Sequence, residues 1–300
     1  MKIGIFLWNL MNMKEQYNQL EMDHEIAQKI AIQGAKGSYH HMVAQAFFGS
    51  AIDVEQCMSF AEVVRSLEEG KSTDAVMAIE NSIAGSIIPN YAYVDEHNLN
   101  IIGEYYLPIH HCLMALEGQN IEDIKEVWSH PMALLQCKEF FRNHQQLRLV
   151  EETDTADVAR RIQEEKLKDV AAVASAGAAE IYGLQILKKD IQTIKTNSTR
   201  FFILSTENRI SPKDEVNKAS LKFMTDHKRG SLATVLNVMS DCKLNLTKIQ
   251  SLPVIDMPWK YSFFVDVTFE DYENYEKAIA ILKIMALELK ILGEYKNQNQ

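Results

Sequence analysis

The chain has 300 residues, 47% of them hydrophobic, and a formal net charge of −10 at pH 7. This length and apolar content suffice for two or three compact units, each with its own core. The negative charge argues against nucleic acid as a partner, because a phosphate backbone needs a basic protein face.

The spacing of the cysteines and the N-terminal residues indicate the cellular compartment of the protein. Four cysteines are widely spaced and form no C-x-x-C pair, which predicts neither a disulfide framework nor a zinc site. The apolar start is interrupted by Asn9 and Asn12, so it does not predict a secretory signal. No segment is long and apolar enough to predict a membrane-spanning helix. We therefore expect a cytoplasmic protein without a membrane partner, with residues 1–28 as an extension outside its domains.

The first predicted elements are a strand, a turn and a helix. Ile30–Ile32 is typical of a short buried strand, and Gly34–Gly37 of a tight turn. Ser38 stands where a helix N-cap is expected, with the helix running to about Phe48. Because the first amides of a helix lack internal partners, Ser38 is a candidate contact for a carboxylate.

A second predicted strand, Ala75–Ile79, is followed by the polar residue Asn81. Open α/β sheets bind ligands at the ends of such strands, so Asn81 is a candidate site residue. Further along, Ile124–Trp128 is strand-like and Pro131 suits the first turn of a helix. This places Ser129 at the mouth of that helix and Gln136 on it.

Two later strand ends supply the other candidates. Val170–Ala174 predicts a strand that ends at Ser175 and Ala176, where small residues allow close approach. In the strand at Thr193–Ser205, Thr199 offers a rotatable O–H and Arg200 a planar fork of donors for a carboxylate. Strict alternation puts Thr199 and Arg200 on opposite faces, which makes Arg200 the weaker candidate.

The repeated strand–helix units predict a parallel-rich, three-layer α/β sheet. Residues 207–218 predict a linker, because they are polar and contain Pro212. Residues 219–296 follow the order βαββαβ, which is ferredoxin-like. In the strand predicted from Trp259 to Phe269, the apolar residues alternate onto one face.

The nine histidines include two pairs that are adjacent in sequence, His40 with His41 and His110 with His111. Neighbours in sequence diverge on a strand and on a helix, and no H-x-x-x-H spacing occurs, so the pattern does not favour a metal. The tripeptide Thr199-Arg200-Phe201 occurs by chance in many proteins. Its value as evidence for a catalytic site therefore depends on the other segments.

Four segments, together with the C-terminal domain, resemble in order and spacing the prephenate dehydratase family. They are Ile32–His41, Ala75–Ser86, Val127–Pro131 with Gln136-Cys137, and Asn197–Leu204. The resemblance covers about residues 29–296. It implies a catalytic domain, residues 29–206, with two lobes like a periplasmic binding protein, at about 29–105 plus 190–206 and about 106–189.

The resemblance also implies chemistry. Prephenate loses carbon dioxide and hydroxide as an aromatic ring forms, a reaction for which we expect no cofactor and no metal. Thr199 would donate to the departing hydroxyl, with Asn81, Ser129 and Gln136 lining the cleft. Arg200, Ser38, Ser175 and Ala176 would add substrate contacts.

The C-terminal domain resembles an ACT domain, a module that binds amino acids between paired copies. Its first motif, usually Gly-Ala-Leu-Val, is Gly230-Ser231-Leu232-Ala233, and its second, usually Glu-Ser-Arg-Pro, is Gln250-Ser251-Leu252-Pro253, which lacks both charges. The resemblance implies L-phenylalanine as effector, homodimers or homotetramers through ACT pairing, and regulatory contacts from Gly230, Ser231, Leu232, Asn245, Gln250, Ser251 and Pro253.

Two alternatives stay open. The substrate could be arogenate, the aminated analogue of prephenate. The same lobes could also serve a non-catalytic binding protein that senses amino acids, because fold does not fix function.

Overall fold

The computed structural model describes residues 28–209, 211–254, 257 and 260–298. Most of the extension predicted for residues 1–28 therefore lies outside the described residues. Gln28, its last residue, donates a hydrogen bond to the carboxylate of Asp74 (2.9 Å) and so belongs to the folded part.

The described elements follow the predicted order closely. The strands are β1 (Lys29–Gln33), β2 (Asp53–Cys57), β3 (Asp74–Asn81), β4 (Gly85–Ser86), β5 (Asn100–Pro108), β6 (Cys112–Ala115), β7 (Glu126–Ser129), β8 (Arg148–Glu151), β9 (Val170–Ala174), β10 (Gln185–Lys188), β11 (Ser198–Ser205), β12 (Lys218–Met224), β13 (Asn245–Pro253), β14 (Tyr261–Thr268) and β15 (Glu288–Tyr295). The helices are α1 (Tyr39–Phe48), α2 (Phe60–Glu68), α3 (Ile88–Glu96), α4 (Pro131–Gln136), α5 (Lys138–Arg142), α6 (Thr155–Glu164), α7 (Ala176–Tyr182), α8 (Ser231–Asp241) and α9 (Tyr272–Met285).

Lobe one is built on a sheet in the order β2-β1-β3-β11-β5, with β4 paired to β3. Strands β1, β2 and β3 run parallel, whereas β11 is antiparallel to both β3 and β5. Helix α1 packs on one face, while α2 and α3 pack on the other. The late strand β11 thus lies in the middle of the first sheet, beside the strand that ends in Asn81.

Lobe two has a five-stranded sheet in the order β10-β6-β9-β7-β8. Strands β7, β8 and β9 are parallel, and β6 pairs antiparallel with both β9 and β10. Both lobes are therefore mixed, and the parallel-rich sheet predicted from the strand–helix alternation is wrong in this respect. The two connections between the lobes join β5 to β6 and β10 to β11. The antiparallel pairing of these strands depends on contacts that local sequence does not encode.

The C-terminal unit is an antiparallel sheet in the order β13-β14-β12-β15. Helices α8 and α9 cover one face, and the other face packs on lobe one. The packing is so close that a Cβ added at Gly293 would lie 2.1 Å from the carbonyl oxygen of Ile101. Lys218, predicted as the end of a linker, opens β12 instead and is buried against Glu104 (2.8 Å).

Candidate active site

A cavity of about 750 Å³ lies between the two lobes and is lined by residues of both. This volume falls within the range of small-molecule sites. Lobe one contributes the start of α1, the start of α2, the end of β3 and the start of β11, whereas lobe two contributes α4 and the residues before α6. The lining includes Ser38, Asn81, Gln136 and Thr199, four of the predicted site residues.

Asn81 and Thr199 form the centre of the polar wall. They are direct partners in the antiparallel register of β3 and β11, and both are nearly buried. The Asn81 side-chain oxygen accepts from the amides of Ile83 (3.0 Å) and Ala84 (2.9 Å). Its Nδ2 donates to the Thr199 hydroxyl oxygen (2.9 Å). The Thr199 oxygen is thus held as an acceptor, which leaves its own proton available for a ligand.

The hydrogen bonds continue into lobe two. Asn81 Nδ2 also donates to the side-chain oxygen of Asn197 (2.7 Å), and Asn197 Nδ2 donates to Gln136 Oε1 (2.9 Å). The same oxygen of Gln136 lies 2.8 Å from His111 Nε2, and His111 Nδ1 lies 2.8 Å from the Tyr39 hydroxyl. One hydrogen-bonded chain therefore connects Thr199 to both lobes.

The cavity wall carries little positive charge. Among the described residues that line it there is no Lys or Arg, and the one carboxylate is Asp154. Ser38 caps α1 by accepting from the amide of His41 (3.3 Å), as predicted. The first amides of α1 therefore supply a positive dipole for an anion at the cavity wall.

Burial favours the neutral form of the histidines in the cavity wall. Burial lowers the pKa of His40 to about 3, and its Nε2 accepts from the Ala78 amide (3.3 Å). Burial also lowers the pKa of His111 and that of His130. His130, not Ser129, caps α4, since its Nδ1 accepts from the Met132 amide (3.2 Å).

The prediction that Arg200 binds substrate is wrong in this structure. Its side chain points to the opposite face of β11 from Thr199 and is only 4% exposed. The guanidinium pairs with Glu104 (2.7 Å) and with Asp266, and it donates to the hydroxyl of Tyr295 (3.2 Å). Burial opposes this charge, but Asp266, Tyr295 and Glu104 together outweigh it and raise the pKa of Arg200. Arg200 therefore joins lobe one to the C-terminal unit.

Three further candidates also lie outside the cavity lining. The Ser129 hydroxyl is fully buried and donates to the carbonyl of Val173 (2.6 Å), which ties β7 to β9. Ser175 caps α7, and its hydroxyl donates to the carbonyl of Gly37 in lobe one (2.6 Å). Ala176 is exposed in the first turn of the same helix. Ser129, predicted to line the cleft, is thus a packing residue, and the Ser175 hydroxyl makes a contact between the lobes. The substrate contact of Ala176 stays a prediction.

The predicted regulatory residues lie at one side of the C-terminal unit. Gly230 precedes α8 with φ 87°, and Ser231 and Leu232 open that helix. Asn245, Gln250, Ser251 and Pro253 belong to β13, which is an edge strand packed beside α8.

Sequence reasoning missed His111, Asn197 and Tyr39. For Asn197 a signal existed, because it stands two residues before Thr199 and shares its face under strand alternation. His111 and Tyr39 lie far apart in sequence, so only the tertiary fold brings them to Gln136. Within the described ranges, no cluster of three or more His, Cys, Asp or Glu is arranged to hold a metal, and no helix is long and apolar enough to cross a membrane.

Comparison with known proteins gives a consistent result. The family model described as prephenate dehydratase matches residues 30–209. The arogenate dehydratase/prephenate dehydratase 2 of Arabidopsis thaliana is 38% identical over 280 residues, which cover 89% of this chain and 72% of that protein. The bifunctional chorismate mutase/prephenate dehydratase of Enterobacter agglomerans is 32% identical over 93% of this chain and 73% of its own length.

A solved structure extends the likeness to three dimensions. The prephenate dehydratase of Arthrobacter aurescens, in complex with L-Phe, superposes with a TM-score of 0.81 at 24% identity, covering 90% of each chain. The fold is thus shared across the lobes and most of the C-terminal unit. On the family match and the identity to its relatives, this chain belongs to the prephenate dehydratase family of hydro-lyases.

Proposed function

We propose that the cavity between the lobes converts prephenate to phenylpyruvate, a step in the biosynthesis of L-phenylalanine. The observation that carries this is the Asn81–Thr199 pair, whose hydrogen bond directs the Thr199 proton into a cavity of the family's catalytic domain. In the reaction the ring carboxylate leaves as carbon dioxide. Its bonding electrons complete the aromatic ring and expel the hydroxyl at the opposite ring carbon, which leaves as water after gaining a proton.

Thr199 acts by stabilising charge. A neutral Thr is a very weak acid, so its contribution is a preorganised hydrogen bond that strengthens as negative charge develops on the departing oxygen. Asn81 fixes the direction of that bond. Gln136, whose amide N–H groups have no acceptor within the described part of the chain, supplies donors for a substrate carboxylate.

A spectrophotometric assay of phenylpyruvate formation tests the proposal. We expect turnover of prephenate without added metal, unchanged by EDTA. Replacing Asn81 by Ala removes the donor to Thr199 and should lower kcat/KM about ten- to thousandfold, the scale expected when a closed site loses one of its hydrogen bonds.

The matched control is Asn143→Ala, because Asn143 ends α5 on the exposed surface. It should keep wild-type kinetics. No turnover of prephenate by the wild-type chain, or equal kinetics for Asn81→Ala and wild type, would contradict the assignment.

One observation favours arogenate as a second candidate substrate. The only carboxylate lining the described cavity is Asp154, and arogenate carries an ammonium group that such a carboxylate can bind. Burial raises the pKa of Asp154, although the amides of Asp157 (2.7 Å) and Ala35 (3.4 Å) oppose this. The Arabidopsis relative bears both substrate names.

Asp154→Asn separates the two substrates. Asn keeps the cap of α6 but loses the charge. If Asp154 binds the ammonium group, kcat/KM for arogenate should fall about ten- to hundredfold, the value of a hydrogen bond to a charged group, while prephenate is little affected. Equal losses with both substrates would exclude this role.

The C-terminal unit is proposed to be an ACT domain that binds L-phenylalanine between paired subunits of a cytoplasmic homodimer or homotetramer. The βαββαβ order and the retained Gly230, Asn245, Ser251 and Pro253 support this, as does the L-Phe complex of the Arthrobacter relative. Gln250 and Leu252 replace the usual charged pair. Removing both partners of an ion pair together is often nearly neutral, so we expect this end of β13 to keep its shape.

Titration calorimetry with phenylalanine, beside an activity assay, tests this regulation. We expect binding and inhibition at millimolar phenylalanine or below, and weaker phenylalanine binding when prephenate is present, because coupling between sites is reciprocal. L-alanine, which lacks the ring, is the control ligand and should give no heat. If phenylalanine produces neither heat of binding nor inhibition, the C-terminal unit serves only the assembly of subunits.

A further inference from the structure

We infer that His111 is a positioning residue of the proposed reaction. As the Nε2–H tautomer it donates to Gln136 Oε1 in the hydrogen-bonded chain from Thr199, and it holds Gln136 so that the amide N–H groups of Gln136 face the substrate. The inference rests on the proposed dehydration for its kinetic consequence. The tautomer itself follows from the hydrogen bonds together with the neutrality of the buried ring.

The direction of the chain is set at Asn81. Two backbone amides, those of Ile83 and Ala84, donate to one atom of its side-chain amide, so that atom is the oxygen. An amide N–H cannot donate to an NH₂ group, which removes the usual ambiguity of an Asn side chain. Nδ2 of Asn81 must therefore be the donor towards Thr199 and Asn197.

Each following group is then determined in turn. Asn197 accepts from Asn81 with its oxygen, so its Nδ2 faces Gln136 as a donor. Gln136 must meet that donor with Oε1, and the same oxygen is 2.8 Å from His111 Nε2. Because Oε1 is only an acceptor, Nε2 of His111 must carry a proton. The opposite tautomer would place two acceptors in contact at this distance.

The other ring nitrogen completes the assignment. Burial lowers the pKa of His111, so the neutral ring has a single N–H, which the chain places on Nε2. Nδ1 is then an acceptor, and the hydroxyl of Tyr39, 2.8 Å away, is its donor. The Tyr39 hydroxyl also donates to the carbonyl of His110 (2.8 Å), so its one proton is shared between that carbonyl and Nδ1 in a three-centre hydrogen bond.

This arrangement has a chemical consequence in the cavity. With Oε1 of Gln136 occupied by Asn197 and His111, the Gln136 NH₂ group is turned to the ligand. The Thr199 hydroxyl, whose oxygen accepts from Asn81, likewise keeps its proton for the ligand. The hydrogen-bonded chain therefore makes the Gln136 amide and the Thr199 hydroxyl donors, although each could otherwise also accept. An anionic substrate with a departing hydroxyl requires such donors.

A pair of substitutions at His111 tests the positioning role. His111→Gln offers an amide N–H to Gln136 Oε1, whereas His111→Leu offers none. We expect His111→Leu to lower kcat at least about tenfold, the scale of one hydrogen bond, and His111→Gln to recover most of the loss. His97→Gln, at a surface histidine paired with Glu68, is the matched control and should keep wild-type kcat. Equal kcat for the Leu and Gln variants would overturn the role.

Nitrogen NMR of the wild-type protein labelled at histidine tests the tautomer independently. The His111 signals are those missing from the His111→Gln spectrum. We expect a protonated Nε2 and an unprotonated Nδ1 that accepts a hydrogen bond, with the Nδ1 shift altered in Tyr39→Phe. A protonated Nδ1 with a bare Nε2 would refute the inference. If the wild-type protein fails to turn over prephenate yet shows the expected tautomer, the proposed function is contradicted. The hydrogen-bond assignment then still holds.

Discussion

Replacing Thr199 by Ala is expected to lower kcat about 10²- to 10³-fold, the effect of removing one preorganised donor to a developing negative charge. KM should change little, because the hydrogen bond strengthens only as the hydroxyl departs. The residue makes one described side-chain hydrogen bond, with Asn81, so the fold should persist. Steady-state kinetics with prephenate measure the first effect and thermal unfolding the second.

Thr199→Ser is the matched variant for this experiment. Ser keeps an O–H at the same position and should retain most of the turnover, although it loses the β-branched packing of strand β11. If the Ala variant turns over prephenate as fast as wild type, Thr199 is not the donor. Equal losses in the Ala and Ser variants would instead point to packing by the methyl group.

The second large effect is expected at Arg200. Its guanidinium is buried between Glu104 and Asp266, and Lys218 also donates to Glu104 (2.8 Å). Arg200→Leu leaves the buried Asp266 carboxylate with the Ser220 hydroxyl as its remaining described side-chain hydrogen-bond donor. Removing one partner of a buried ion pair destabilises a protein by about 3–5 kcal/mol, and we expect a loss of that size in the free energy of unfolding. Denaturant unfolding measures it.

The control for Arg200 is Arg148→Leu. Arg148 pairs with Glu126 on the surface of lobe two, with most of its side chain exposed, so its loss should change stability little. If both variants unfold at the same denaturant concentration, the buried cluster does not hold the C-terminal unit to lobe one. Because Arg200 directly follows Thr199 in β11, the same variant should also lower turnover, which the phenylpyruvate assay detects.

A second contact of the same kind connects the C-terminal unit to the cavity wall. Glu80 precedes Asn81 and is the register partner of Arg200, and it accepts from Lys248 of β13 (2.5 Å). Asn81 and Thr199 thus face the cavity while their neighbours Glu80 and Arg200 face the C-terminal unit. Strand alternation gives this arrangement a simple physical origin. It provides a short route by which a change in the C-terminal sheet would reach the two cavity residues.

The sequence by itself determined most of the local structure. The cap at Ser38 and the proline at the start of α4 lie where the residue types predict them. Apolar runs predicted β1, β3, β7 and β9 to within two residues, whereas β2 and β10 were not predicted. Asn81, Gln136 and Thr199 could be named as cavity residues because their motifs resemble a family. These signals are local, which is why a single sequence carries them.

Only the tertiary structure decided which face of an element meets the cavity. The pattern of β14 predicted one apolar face, yet its other face is also buried, since Phe264 and Asp266 pack on lobe one. That docking explains why Arg200 is an interface residue and why Lys218 is part of a strand. Tyr39 of lobe one reaches His111 of lobe two only because the lobes meet there. Such contacts join residues far apart in the chain, and their geometry depends on packing that no local pattern encodes.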